Sequence, residues 1–335
     1  MINSNDCCHF SEIADVFRKY RRFAVIAHFR LDGDAIGSTL ALGNALKEMG
    51  KEVIMINEDP VPHQLRFMSG SDQIQVTPDH LEDIDVAISL DNGTLKRLGA
   101  RSVEALSQVK VLVNIDHHET NDRFGDYVCV RPMECATCAV LYHLFRYMEL
   151  PLTPIMRDAL YVGISTDTGS FQYSKTTPEV MEMAADLIRQ GVNVHEINRQ
   201  LYQETTWAKL QLMREELNGM KLSFNQRIAS YCLTNQVKQS LGVTPDDTEG
   251  LIDVLRSVEG VWLAAYFEEI EDDTRIRVSL RSKVEAISVS KIAEQFNGGG
   301  HSMAAGIRMP GPIENASALI LEALEAAAAH YQSTL

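Results

Sequence analysis

Phe23-Ala24-Val25-Ile26-Ala27-His28-Phe29-Arg30-Leu31-Asp32-Gly33-Asp34 joins an apolar run to a polar loop rich in His and Asp, and its reading decides the fold. An unbroken apolar run of this length reads as a strand buried on both faces, as in a parallel sheet. Val111-Leu112-Val113-Asn114-Ile115 repeats the arrangement and leads into Asp116-His117-His118. Both polar stretches stand where strands end, and open α/β sheets place their sites there. Asp and His are also the oxygen and imidazole ligands of catalytic divalent cations.

Outward from these two runs, residues 1–190 alternate strand and helix patterns, the signature of βαβ units. Further strands are expected at 52–57 and 86–90, with helices near 35–49, 137–149, 154–164 and 180–189. Residues 191–220 are polar and helix-prone, and read as a helical linker. From 221 to 335 the pattern restarts with strands at 221–224, 227–233, 260–268 and 274–281, then helices near 287–296 and 313–330. The expected architecture is an α/β chain: an N-terminal parallel-sheet domain, the linker, and a smaller α+β C-terminal domain. The acidic run 269–273 reads as a solvated hairpin tip.

The chain has 335 residues, enough for two cores, with 45% hydrophobic residues, as soluble domains have. No apolar run approaches the ~18–20 residues that span a bilayer, so no membrane partner is expected. The polar first ten residues lack a signal-type stretch, which makes the cytoplasm the default compartment. A net charge of −15 opposes long tracking along a nucleic-acid backbone. It leaves room for a short phosphorylated ligand, because bound cations reverse the field of an acidic site. The six cysteines are expected to be thiols. Cys135-Ala136-Thr137-Cys138 has metal or redox spacing, but without a second pair it reads better as small residues opening a helix.

Several segments carry candidate ligands. His28, Asp32 and Asp34 surround a turn at Gly33, and alone they fit either a cation site or a capped helix start. Asp91 ends the run Val86–Leu90, and by itself could simply begin a turn. In Asp116-His117-His118 the two imidazoles point to different sides, one toward a cation and one toward substrate, with Asp116 able to orient a ring. Asp167 lies among the small residues Gly163-Ile164-Ser165-Thr166 and Thr168-Gly169-Ser170. Together His28, Asp32, Asp34, Asp91, His117 and Asp167 supply six ligands, enough for two cations bridged by a shared carboxylate. In the C-terminal part Arg275, Arg277, Ser279, Arg281 and Lys283 alternate, which puts a basic stripe on one strand face. Gly298-Gly299-Gly300-His301 reads as a loop whose N–H groups could converge on phosphate.

With these motifs the chain resembles the DHH phosphoesterase family, named for the triplet at Asp116–His118, and within it the bacterial nano-RNase/pAp-phosphatase branch. The resemblance runs from about residue 10 to about residue 325. It is carried by Asp32-Gly33-Asp34-Ala35-Ile36-Gly37-Ser38, by Asn114 through Asn121 to Phe124-Gly125-Asp126, and by Gly163 through Phe171. The C-terminal marks are Ser279-Leu280-Arg281-Ser282-Lys283, Gly298–His301 and Ala304-Ala305-Gly306. Leu31, where proline is common, and Asn92-Gly93 after Asp91 depart from the pattern without removing a ligand.

The resemblance implies two divalent cations, typically Mn2+ with Mg2+ or Co2+ as options. His28 and Asp32 would hold one, Asp34, His117 and Asp167 the other, and Asp91 would bridge. His118 would face the scissile phosphate, and with Asp91, Asp116 and His117 it makes up the catalytic set. Arg281, Gly299, Gly300 and His301 would grip the substrate in a cleft between the lobes. The expected activity is phosphate-ester hydrolysis on very short RNA, on 3′-phosphoadenosine 5′-phosphate, or on both. Cyclic or linear dinucleotide cleavage is the alternative, and a nucleotide sensor without turnover is a third reading. A homodimer is left open.

Overall fold

A computed structural model describes residues 10–270 and 274–334. Cys7, Cys8, most of the polar leader and the centre of the acidic tip lie outside the described residues. The chain divides into two compact units, one ending at Glu204 and the other starting at Thr205.

The first unit opens with α1 (Phe10–Lys19), β1 (Arg22–Ala27) and α2 (Gly33–Glu48), followed by β2 (Glu52–Asn57), β3 (Ile74–Val76) and β4 (Val86–Leu90). Then come α3 (Ala100–Ala105), β5 (Val111–Asp116), β6 (Tyr127–Val130) and α4 (Thr137–Tyr147). It closes with α5 (Pro154–Asp167), α6 (Pro178–Arg189) and α7 (Val194–Tyr202). Its six strands form a parallel sheet in the order β3-β2-β1-β4-β5-β6. The order reverses between β1 and β4, so their C-terminal ends open a crevice at the switch point. Every residue of β4 is buried, as expected for a strand covered on both faces. The larger core packs α2, α4 and α5 on one face; the smaller one, around Ala24, Ile56, Ala87 and Leu98, fills the other.

The second unit begins with α8 (Trp207–Gly219), β7 (Lys221–Ser223), β8 (Ile228–Leu233), α9 (Asn235–Leu241) and α10 (Ile252–Ser257). It continues with β9 (Leu263–Ile270), β10 (Arg275–Ser282), α11 (Val289–Glu294), β11 (Gly299–His301), β12 (Ala304–Pro310) and α12 (Ile313–Gln332). The sheet order is β11-β12-β10-β9-β8-β7, antiparallel except for β8 beside β9. Ile276, Val278 and Leu280 pack one face against α11 and α12. Tyr231 and Tyr266, on the other face, lie with Leu212 and Leu255. The segment 191–220, read from sequence as a linker, contributes α7 to the first unit and α8 to the second.

No helix among the described residues is long and apolar enough to cross a membrane. Cys135, Cys138 and Cys232 are free thiols, but Cys129 is disulfide-bonded, against the expectation that all six are reduced.

Candidate metal centre

Three adjacent strands deliver the site. β1 ends at Ala27 and presents His28; β4 ends at Leu90 and presents Asp91; β5 ends at Asp116 and presents His117 and His118. Asp91 takes a left-handed conformation, φ 53°, while its N–H still donates to the Ile115 carbonyl at 3.1 Å. That turn at the last rung redirects the carboxylate into the crevice, a local strain of the kind that surrounding structure must hold in place.

Asp32 is the N-cap of α2. Its Oδ1 accepts from the N–H groups of Asp34 and Ala35 at 3.1 and 2.9 Å. Its Oδ2 remains 3.6 Å from His28 Nε2, so one carboxylate both caps the helix and faces the site. Asp34 is buried in the first turn of α2, and its oxygens accept from the N–H groups of Thr137 and Cys138 at 2.6 and 2.9 Å. The C-x-x-C stretch thus opens α4 and turns the N-terminus of that helix onto Asp34. Burial pushes the Cys135 thiol up to about 12 and the Cys138 thiol well above its usual value, which makes both poor nucleophiles and redox groups.

Asp167, beyond the helix expected near 154–164, is the last residue of α5. Helix persists through Thr166 and Asp167 because the α5 backbone packs closely on α2 and α4. At Gly163 a Cβ would lie 2.3 Å from Cys138 Sγ and 2.6 Å from Asp34 Oδ1, so glycine makes the room in which Asp34 sits.

The donor atoms converge. Atoms of His28, Asp32 and Asp91 lie within 4.8 Å of one another, as do those of Asp34, His117 and Asp167. Asp91 spans the two groups, with Oδ2 3.3 Å from His28 Nε2 and Oδ1 3.5 Å from His117 Nε2. His117 Nε2 is also 3.1 Å from Asp167 Oδ2. The Nδ1 of His28 is 2.8 Å from the Phe29 carbonyl and that of His117 is 3.4 Å from the Glu134 carbonyl. Rings anchored through Nδ1 present Nε2, the usual arrangement of a ligating histidine. Mixed imidazole and carboxylate donors in two groups of three, with Asp91 of the first reaching His117 of the second, fit a pair of divalent cations.

Charge is balanced within the cluster. Burial lowers the affinity of His28 for a proton, but Asp32 and Asp91 more than compensate and raise its pKa to about 10. Burial opposes ionisation of Asp91, yet His117 and His28 hold its carboxyl well below the usual range. Burial, with Asp91 and Asp167 nearby, pushes Asp34 well up. Burial likewise lifts Asp167 to about 6, with Asp32 and Asp91 adding to it against His117. Three neighbouring acids with conflicting tendencies form an environment that a cation would relieve.

Asp116 supports the histidines from behind. Its Oδ1 accepts from the His117 N–H at 2.8 Å and lies 2.7 Å from His118 Nδ1. Its Oδ2 accepts from Asn121 Nδ2 at 2.6 Å. Asn121 also donates to the Asn92 carbonyl at 3.1 Å and accepts from Asn114 Nδ2 and the Arg123 N–H at 3.3 and 2.6 Å. Reasoning from sequence placed Asn121 in the motif but gave it no role; a lone Asn in a loop looks like any turn residue. Thr137 was missed too, and its hydroxyl is 3.2 Å from Asp91 Oδ1.

In the second unit, Gly299-Gly300-His301 is an edge strand paired to Ala304–Gly306, rather than the loop expected. At Gly300, φ 143°, a Cβ would lie 2.5 Å from the Ala304 carbonyl oxygen. Gly300 thus lets the two strands pass closely. Ala304 pairs with His301 on one side and Arg281 on the other, so these three form a row on one sheet face.

Residues 22–164 match the family model described as DHH family, N-terminal domain, and residues 228–330 match the DHHA1 domain. The bifunctional oligoribonuclease and PAP phosphatase NrnA of Thermus thermophilus is 32% identical over 301 residues, covering 90% of this chain and 88% of that protein. The protein of the same name in Bacillus subtilis is 27% identical, covering 88% and 92%. The crystal structure of an exopolyphosphatase-related protein from Bacteroides fragilis superposes with a TM-score of 0.87 at 27% identity, covering 97% of each chain.

Proposed function

The chain belongs to the DHH family and carries a DHHA1 domain, and from that premise we propose that it hydrolyses phosphate esters of short RNA and of 3′-phosphoadenosine 5′-phosphate. The observation that carries this reading is the position of Asp91 at the switch point of the first sheet, where it completes a three-donor group with His28 and Asp32 and reaches His117 of a second such group. The relatives named for oligoribonuclease and PAP phosphatase activity align over most of the chain and support the substrate class.

His28, Asp32 and Asp91 would hold one divalent cation, and Asp34, Asp91, His117 and Asp167 a second, with manganese the expected metal. When bound, such a pair supplies an acidified water and neutralises charge on the phosphoryl oxygens. His118, its Nδ1 proton held by Asp116, would turn Nε2 to the ester, and when that nitrogen carries a proton of its own it donates to a phosphoryl or leaving oxygen. Asp116 orients that ring and does not touch substrate. Arg281 and His301 present cationic and hydrogen-bonding groups to a phosphate on the second unit, with the Gly299-Gly300 backbone alongside.

A single panel tests the reading. Purified chain with manganese is incubated with diribonucleotides, five-residue RNAs, 3′-phosphoadenosine 5′-phosphate and cyclic di-AMP, beside an Asp91→Ala control. Release of mononucleotides or inorganic phosphate that the control lacks is expected. Turnover of the cyclic substrate alone, or binding without turnover, defeats the proposal.

A further inference from the structure

We propose that Arg308 is a specificity-determining residue, a cation that engages a backbone phosphate of RNA longer than a dinucleotide, separate from the phosphate that Arg281 and His301 engage. The inference rests on the reading of that sheet face as substrate-binding.

The register fixes where Arg308 sits. Between β10 and β12, Arg281 pairs with Ala304, Ser279 with Gly306 and Arg277 with Arg308. Paired residues share a face, and the face alternates along each strand. Arg308 therefore lies on the side that carries Arg281 and His301. The opposite side holds the core residues Val278, Leu280, Ala305 and Ile307.

This outer face is only half covered. Its β8–β9 part lies in the cluster with Leu212 and Leu255. On the β12–β11 part Gly299, Gly306, His301 and Arg308 are exposed. Between the Arg281 row and the Arg308 row stand only Ser279 and Gly306 on these two strands, so nothing bulky interrupts a chain laid along them.

Arg277 and Arg308 face each other as like charges, and such cross-strand pairs destabilise unless compensated. Arg277 is compensated: it hydrogen-bonds Glu268 and donates to Thr248 Oγ1 at 2.9 Å. Arg308 has no carboxylate partner among the described residues. A guanidinium left open beside another, in a chain of net charge −15, is suited to a visiting anion. Four residues of strand separate the two rows, about 13 Å. One phosphate cannot meet both rows, whereas a strand with several linkages can.

The test compares kcat/KM of the wild type, Arg308→Ala, Arg308→Glu and Arg308→Lys on di-, tri- and pentaribonucleotides with manganese. We expect the ratio of pentamer to dimer activity to fall at least fivefold in Arg308→Ala, further in Arg308→Glu, and to recover partly in Arg308→Lys. The salt dependence for the pentamer should also weaken by about one phosphate contact. A ratio that stays constant in all three variants, each folded by its melting transition, overturns the role of Arg308 alone. A wild type that cleaves none of these RNAs overturns the reading beneath it as well.

Discussion

Asp116 Oδ1 lies 2.7 Å from His118 Nδ1, and the other oxygen of that carboxylate is held by Asn121 at 2.6 Å. The pair fixes a proton of the imidazole on Nδ1, which also lies 3.6 Å from Asp91 Oδ1. Ring orientation and tautomer are thus set by a residue that is itself immobilised. Asp116→Asn removes the charge and offers an amide where a carboxylate accepted. We expect kcat to fall roughly 10²-fold or more with a much smaller change in KM. Asn121→Ala, which only loosens Asp116, should cost about tenfold. Steady-state kinetics on a dinucleotide decide the matter; a rise in KM at constant kcat would place Asp116 in substrate binding instead.

Asp91 touches both histidine-bearing groups, so its loss should do more than halve the site. In Asp91→Asn the side chain keeps its shape and the left-handed turn, yet loses the charge that would bridge two cations. Equilibrium dialysis against manganese is expected to give two bound ions per wild-type chain and fewer in the variant. Activity should drop at least 10²-fold. Two ions still bound at wild-type affinity would remove Asp91 from the bridging position.

Gly163 tests the packing that creates the crevice. A methyl group there meets Cys138 Sγ and Asp34 Oδ1 closer than van der Waals contact allows. Gly163→Ala should destabilise the chain by roughly 1–3 kcal/mol and weaken manganese binding, because Asp34 must move. Adding Cys138→Ala removes the sulfur and should return part of the stability, while the clash with Asp34 keeps manganese binding weak. Thermal melts with and without manganese separate the two effects. Full recovery of both in the double variant would show that only the sulfur mattered.

The strand runs were legible because burial on both faces forces continuous apolar sequence, and β1, β4 and β5 carry it. The candidate ligands His28, Asp32, Asp34, Asp91 and His117 then followed from position, since each stands after such a run. β3 and β6 were not foreseen; at three and four residues on the two sheet edges they are too short to show a period. Asp167 fell beyond the expected helix because its neighbours are small. Close packing of α5 on α2 and α4, rather than local propensity, keeps that stretch helical. The glycine run at 298–300 reads equally well as a loose loop or a tight strand pairing, and only the partner strand distinguishes them. Glu216 gives no sign of its burial, since beside Glu215 it looks like one more solvated acid on α8.

Glu216 is buried in the second unit, and neither carboxyl oxygen has a hydrogen-bond partner among the described residues. Burial alone lifts its pKa to about 8 from an ordinary 4.5. The folded chain therefore keeps a proton that the unfolded chain has already released between those two values. Fewer protons on the unfolded state means that stability falls as pH rises through this window, and the penalty is complete above about pH 8. Glu216→Met fills similar space without a titrating group. Its melting temperature should exceed that of the wild type by little at pH 5 and by clearly more at pH 9. The difference at the higher pH should correspond to roughly 1–4 kcal/mol. Because both proteins share every other titrating group, the comparison isolates this carboxyl. A difference in stability that stays flat from pH 5 to pH 9 would falsify the assignment of a proton to buried Glu216.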